Sequence, residues 1–415
     1  MTENMKPSGT SYLRDIPITW NAKRIKYCVE ICNGAEYADI VVDEGGFPVM
    51  GSGGEFARAS KYCYSKESVL LGRKGTIDKP LFIKEPFWCV DTMFYTKMKE
   101  ETYAKYLYYC SLNIRFDYYV TLTALPSMTQ RDLGSEKIAL PSFPEQTVIA
   151  DFLDTQCEKI DSIIADLEKQ IDLLQKYKKS LITETVTKGL DKSVPMKDSG
   201  IEWIGEIPEH WEVKKIKHCC DNIGSGTTPE SSNYDFYDGE INWIQSGDLY
   251  NTSIITSTEK TVTDFAMKTY SALKKYCADF VIVAMYGASV GNVAISKITA
   301  CANQACCILL SDATNDLKYL YYWLVHCKDD LIQQSAGGGQ PNISQQKIKN
   351  EPMLSLPINE QAAIANYLDT QCTKIDAIIE SKKEQLSKIN DYKKSLIYEY
   401  VTGKKRVKGA TENGN

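Results

Sequence analysis

The chain has 415 residues, 43% hydrophobic and 25% charged, enough for two or three domains with sizeable cores. No run of about 18 apolar residues occurs, which rules out a membrane-spanning helix, and a net charge of −6 argues against holding nucleic acid by bulk electrostatics alone. Fourteen scattered cysteines without a CxxC read as reduced thiols in packed positions, and the opening MTENMKPSGTSYLRDIP has no basic region followed by an apolar stretch, so a cytoplasmic location is expected.

In chain order, residues 1–143 predict a first mixed α/β region, with a β-rich run at Ser68 to Leu71 and a helix from Tyr103 to Leu112. Residues 144–190 predict a long helix whose apolar positions Ile160, Ile164, Leu167, Ile171, Leu174 and Leu181 alternate by fours and threes, the seam of a coiled coil. From Glu145 to Thr187 a continuous helix would span about 65 Å. Asp154 and Asp369 offer possible caps, so a short helix followed by a long one is an equal alternative. Residues 191–359 predict a second α/β region, with a strand at Phe280 to Ala284 and a helix from Leu317 to Lys328. Residues 360–404 repeat the seam at Ile375, Ile379, Leu386, Ile389 and Leu396, and 405–415 read as a disordered basic tail.

The chain repeats itself once. LDTQC stands at 153–157 and 368–372, YKKSLI at 177–182 and 392–397, and Glu145-Gln146 returns as Glu360-Gln361, all offset by 215. IPITWNAKRIKYC at 16–28 returns as IPEHWEVKKIKHC at 207–219, offset by 191. The stretch between these markers has diverged and is 24 residues longer in the second copy, with FPVMGSGG at 47–54 a faint echo of INWIQSGD at 241–248. Shared ends suit a common mechanical task, and divergent centres suit two different recognition tasks.

Catalytic signatures are few. His210, His218 and His326 have no metal-ligand spacing, and the glycine-rich pieces at 51–56 and 336–340 lack the lysine and setting of a phosphate loop. The divergent centres do hold side chains suited to base edges and phosphates. In the first copy these are Arg58, Lys61, Arg73, Lys74, Thr76, Lys79, Gln130 and Arg131; in the second they are Gln245, Ser246, Tyr286, Ser289, Asn292, Gln304, Gln340, Asn342, Gln345 and Gln346.

The duplicated order of IPxxWxxxxI, a variable region, an LP…EQ entry at 140–146 and 356–361, and an IDxII helix at 160–164 and 375–379 resembles the specificity subunit of type I restriction-modification enzymes across almost the whole chain. That resemblance implies an α/β fold with two mixed α/β target-recognition domains joined by two long antiparallel coiled-coil helices, each domain reading half of a split site in double-stranded DNA. It implies two methyltransferase subunits and restriction subunits as partners. It also implies a non-catalytic chain without cofactors, S-adenosylmethionine, ATP and Mg being used by those partners. The first recognition region is the shorter, and its INWIQSGD counterpart is weakened. A coiled-coil adaptor without DNA readout, or a nuclease acting alone, are the competing classes; the adaptor would not need two divergent inserts, and no carboxylate cluster with a lysine is evident for the nuclease.

Overall fold

The computed structural model describes residues 4–119, 126–333 and 342–407. It divides into two compact units, Met1–Lys169 with Lys382–Asn415, and Gln170–Ser381. Each unit therefore combines one recognition region with parts of both long helices.

Those helices are continuous, Phe143–Lys188 over 46 residues and Ile358–Val401 over 44, or about 69 and 66 Å. Neither contains glycine, and the one proline, Pro144, lies in the first turn, where its missing N–H is no loss. Gly189 and Gly403, at φ +71° and +70°, follow the helix ends in the left-handed conformation that a C-terminal cap requires. The alternative of a broken helix is excluded. Asp154 and Asp369 lie within helix and do not cap it: Asp154 accepts from the Tyr109 hydroxyl and pairs with Lys105, and Asp369 accepts from the Tyr322 hydroxyl at 2.8 Å and pairs with Lys318 at 2.5 Å.

All eleven seam residues are buried or half-buried. In the first unit Ile160 and Leu396 join the core with Leu153, Cys157, Ile397 and Val401, while Ile164 and Ile389 pack on it. In the second, Ile182 and Val186 meet Ile364, Leu368 and Cys372, with Leu181 alongside. Ile375, Ile379 and Leu167 are 6%, 7% and 8% exposed, and Ile171, Leu174 and Leu386 are half-buried. Within each unit the helix segments run antiparallel: in the first, the Phe152 ring packs against Tyr400, tilted by 39° with centroids 4.5 Å apart, and Asp161 faces Lys393.

Among the described residues each unit carries two larger sheets and two two-stranded ribbons. In the first, Val29–Asn33, Met93–Met98, Ser68–Gly72 and Leu81–Ile83 form an antiparallel sheet in that order. Beside it lie Trp88–Cys89, Phe47–Gly51, Gly54–Ala59 and Val41–Val42, the first pair parallel. The second unit has a five-stranded sheet, Cys220–Ser225, Cys306–Ser311, Phe280–Ala284, Val293–Ser296 and Ile254–Ile255, and a three-stranded one centred on Tyr237–Ile244. Ser68–Gly72 and Phe280–Ala284 are buried along their whole length, as unbroken apolar runs of this kind must be. The edge strand Ile254–Ile255 and the helix Asp264–Thr269 lie in the stretch by which the second copy is longer.

Residues 405–407 do not behave as a free tail. Arg406 pairs with Glu145 and lies over the Trp20 ring, and Lys405 pairs with Glu399 at 2.8 Å. Among the described residues no helix is long and apolar enough to cross a membrane.

Candidate nucleic-acid interface

The duplicated motifs form one clamp, built twice. Trp20 of IPITW donates its indole N–H to Glu145 at 3.1 Å, and Trp211 of IPEHW donates to Glu360 at 3.2 Å. The neighbouring glutamines are 0% and 1% exposed. Gln146 accepts from Tyr103 N–H at 2.8 Å and donates to the carbonyls of Glu101 and Pro141; Gln361 accepts from Asp316 N–H at 2.9 Å and donates to those of Thr314 and Leu356. One amide thus satisfies three backbone groups where a long helix begins, which explains why a buried glutamine stands there. The Tyr106 hydroxyl is shared between Ala139 O at 2.7 Å and Val401 O at 3.1 Å, and its counterpart Tyr319 donates to Val186 O at 3.3 Å, so each recognition region contacts the start of its own helix and the end of the other copy's.

The opposite end of the second unit gathers the candidate readers. Tyr286 follows the buried strand Phe280–Ala284, in a turn held by Met285 N–H on Ala305 O and by Ile343 N–H on Met285 O, both at 2.7 Å. Gln304 lies in the adjoining loop, where Asn303 N–H reaches Ile244 O at 2.9 Å, and Gln245 and Ser246 continue from Ile244. Ser246 Oγ is 3.7 Å from the place of a Cβ on Gly287, whose φ of +88° lets the turn close. Exposed Asn342 precedes Ile343, so Gln245, Ser246, Tyr286, Gln304 and Asn342 converge from four loops. Burial raises the Tyr286 phenol, partly offset by a hydrogen bond from Gln304, so it stays a neutral donor. Thr228, which sequence reasoning missed, donates to Gln304 at 2.6 Å.

Three candidates of this unit are occupied inside the fold. Asn292 donates to Leu249 O at 3.0 Å and accepts from Lys328 at 2.7 Å, and Ser289 is only 4% exposed. Gln345 donates to Ile223 O at 3.3 Å, and Gln130 of the first copy makes the same bond to Ile31 O at 2.6 Å. These two glutamines are duplicated pins between a short helix and the edge strand. Gln346 is exposed, and Gln340 lies outside the described residues.

In the first unit, Met128 N–H bonds Arg73 O at 2.9 Å and Gly75 N–H bonds Pro126 O at 2.9 Å, repeating the arrangement around Met285 and Ile343. Arg73 itself donates to Asp91 O at 3.1 Å and lies over Phe94, while exposed Lys74, half-buried Thr76 and exposed Lys79 make no ion pair among the described residues. Arg58 is paired with Glu55 and bonded to Gly46 O. Arg58, and Lys61 just past the strand's end, lie away from the Gly51–Gly54 turn and on a different sheet from the strand Ser68–Gly72 that leads into Arg73.

His326 lies between Trp203 and Trp323, bonded through Nδ1 to Thr183 at 3.0 Å with a buried Nε2; burial, and then Lys179, lower its pKa to about 4. Ten of the fourteen free cysteines are buried, and burial pushes Cys219 to about 11 and Cys307 to about 12, leaving neutral thiols. Among the described residues no group of three or more His, Cys, Asp or Glu is placed to hold a metal ion.

Comparison with known proteins agrees with this duplicated architecture. The MjaVIII type I restriction enzyme specificity subunit of Methanocaldococcus jannaschii is 25% identical over 417 residues, covering 95% of this chain and 94% of that one. The MjaX specificity subunit of the same organism is 29% identical over 289 residues, 68% of this chain, and the match spans 62% of that relative's length. A chain from a structure on complex assembly and conformational transition of the type I R-M system covers 93% of this chain and 98% of that one at TM-score 0.69 and 14% identity, which shows a shared fold. The family model described as "Type I restriction modification DNA specificity domain" matches twice, at residues 17–173 and 208–389. With both copies matched over most of the sequence, the chain belongs to the type I restriction modification DNA specificity family.

Proposed function

We propose that this chain is the DNA sequence-specificity subunit of a type I restriction-modification complex, reading a bipartite duplex target with one recognition region per half-site. One observation carries this reading. The clamp repeats contact for contact through Trp20–Glu145 and Trp211–Glu360, while the loops at the other end differ in length and residue type. Gln245, Gln304 and Asn342 suit adenine edges, and lysines such as Lys74 suit guanine edges or phosphate.

The chain itself does no chemistry. Methyl transfer from S-adenosylmethionine, and ATP- and Mg-dependent cleavage, belong to the methyltransferase and restriction subunits it recruits. Two methyltransferase subunits, one on each copy of the duplicated helix surface, match the internal repeat. The near-balanced charge supports this division, since partners then supply much of the phosphate neutralisation.

The test is methylome sequencing of a host expressing the complex, repeated after residues 191–359 are replaced by the matching region of another family member. The expected result is a split motif of which one half changes. A coiled-coil adaptor would leave no methylation motif, and a motif changed on both sides of its gap would contradict the modular reading.

A further inference from the structure

One open cavity of about 750 Å³ on the first unit is not part of the reading loops. Its wall carries Arg24, Lys26, Lys99 and Arg131, all exposed and none in an ion pair among the described residues. The one carboxylate in the lining, Glu30, is already engaged by Lys97 at 3.3 Å. Lys99 Nζ donates to Lys26 O at 3.0 Å, so among the described residues the lining carries four exposed cations against one carboxylate.

The second unit supplies an internal control. Lys99 N–H bonds Cys28 O at 3.1 Å, and Asp312 N–H bonds Cys219 O at 3.4 Å; Ile25 N–H bonds Glu136 O, and Ile216 N–H bonds Glu351 O. The backbone is therefore the same at both places. Arg24 and Lys26 correspond to Lys215 and Lys217, but Lys99 corresponds to Asp312, Arg131 to Gln346 and Glu30 to Asp221. Packing needs neither the charge of Lys99 nor that of Arg131, because the same fold is built without them.

We propose that this cavity is a backbone-phosphate contact through which the first unit holds duplex DNA beside its half-site, independent of base sequence. The site is wide, open and lined by separate exposed cations, which fits a polyanion better than a single enclosed anion. It runs from the clamp end, where Lys99 stands two residues from Glu101, to the short helix that carries Arg131, which follows directly from Met128, bonded to Arg73 O. The asymmetry fits a half-site reader with fewer loop contacts of its own. This inference rests on the proposed function.

The test uses the purified complex with its methyltransferase and two duplexes, one carrying the motif that the complex methylates and one with that motif scrambled. Affinity is measured over a range of KCl concentrations for wild type, for Lys99→Asp with Arg131→Gln, which imports the second unit's residues, and for Arg24→Gln with Arg131→Gln. Both double variants should bind both duplexes at least about tenfold more weakly, with the slope of log affinity against log salt reduced by about two, while the methylated sequence is unchanged. Reverse substitution Gln346→Arg in the second unit should steepen the slope by about one. Unchanged affinity and slope would overturn the assignment. So would loss of methyltransferase from the complex by native mass spectrometry with DNA binding per assembled complex intact, which would mark the cavity as a protein docking face. Failure of the wild-type complex to distinguish the two duplexes would instead overturn the parent reading.

Discussion

Lys178 donates to both carboxylate oxygens of Asp376, at 2.7 and 2.6 Å, and its repeat counterpart Lys393 does the same to Asp161, at 2.6 and 2.8 Å. Each lysine occupies a seam position, and each carboxylate belongs to the IDxII motif of the opposite helix. The pairs are half-exposed, with Lys178 at 30% and Asp376 at 56%, so screening keeps their contribution to stability small. They mark the antiparallel register, each joining a lysine of one helix to the IDxII carboxylate of the other.

Reversing both carboxylates, Asp161→Lys with Asp376→Lys, should therefore lower the thermal midpoint only modestly, by the equivalent of about 1 kcal/mol per pair. Adding Lys178→Asp and Lys393→Asp should restore it. A calorimetric series in which the four-fold variant is no better than the double would show that the pairs do not act through charge.

The buried glutamines should matter much more. Gln146→Leu leaves Tyr103 N–H and the carbonyls of Glu101 and Pro141 without their partner. A loss of about 2–4 kcal/mol is expected from orphaned buried groups, read as a lower urea midpoint. Gln361→Leu should do the same through Asp316, Thr314 and Leu356. Gln130→Leu and Gln345→Leu, which remove one bond each, should cost about 1 kcal/mol and leave the methylated motif as it was.

Acid sensitivity should trace to His326. Its folded pKa, about 4 against an ordinary 6.5, is lowered by burial, so the unfolded chain takes up the proton first. The stabilisation is complete above the unfolded value and disappears as pH falls through the window from 6.5 to 4. Up to about 3 kcal/mol should be lost across it. His326→Leu should flatten that part of the stability-against-pH curve, and an unchanged curve would assign acid sensitivity elsewhere.

Helix length should set the gap between half-sites. An insertion near Thr187 is unsuitable as a test, because Thr187 is 3% exposed and Val186 receives the Tyr319 hydroxyl. Four residues after Lys169, matched by four after Ser381, lengthen both helices by about 6 Å in exposed stretches and keep the seam nearly in phase. The preferred gap should grow by about one or two base pairs with both half-sites unchanged. Two-residue insertions should methylate poorly, since they turn the rest of each helix by about 200° about its axis. Methylation of a graded-gap target series separates these outcomes.

The sequence by itself determined the elements that depend on near neighbours. The 215-residue repeat, the two helices free of internal glycine, the seam from Ile160 to Leu396 and the buried strands at Ser68 and Phe280 are all legible as pattern, because periodicity and propensity act over a few residues. Tertiary structure alone decided which polar side chains remain available. Gln130 and Gln304 look alike in sequence, yet one amide is held by a strand carbonyl 99 residues away while the other sits exposed at a loop junction. Arg24, Lys26 and Lys99 carry no local signal; they meet Arg131 only when the edge strand and its neighbouring short helix pack. Tertiary structure also decided that Tyr106 grips Val401, at the end of the other copy's helix. A side chain's partner is whatever donor or acceptor folding brings within about 3 Å, and no local pattern records that.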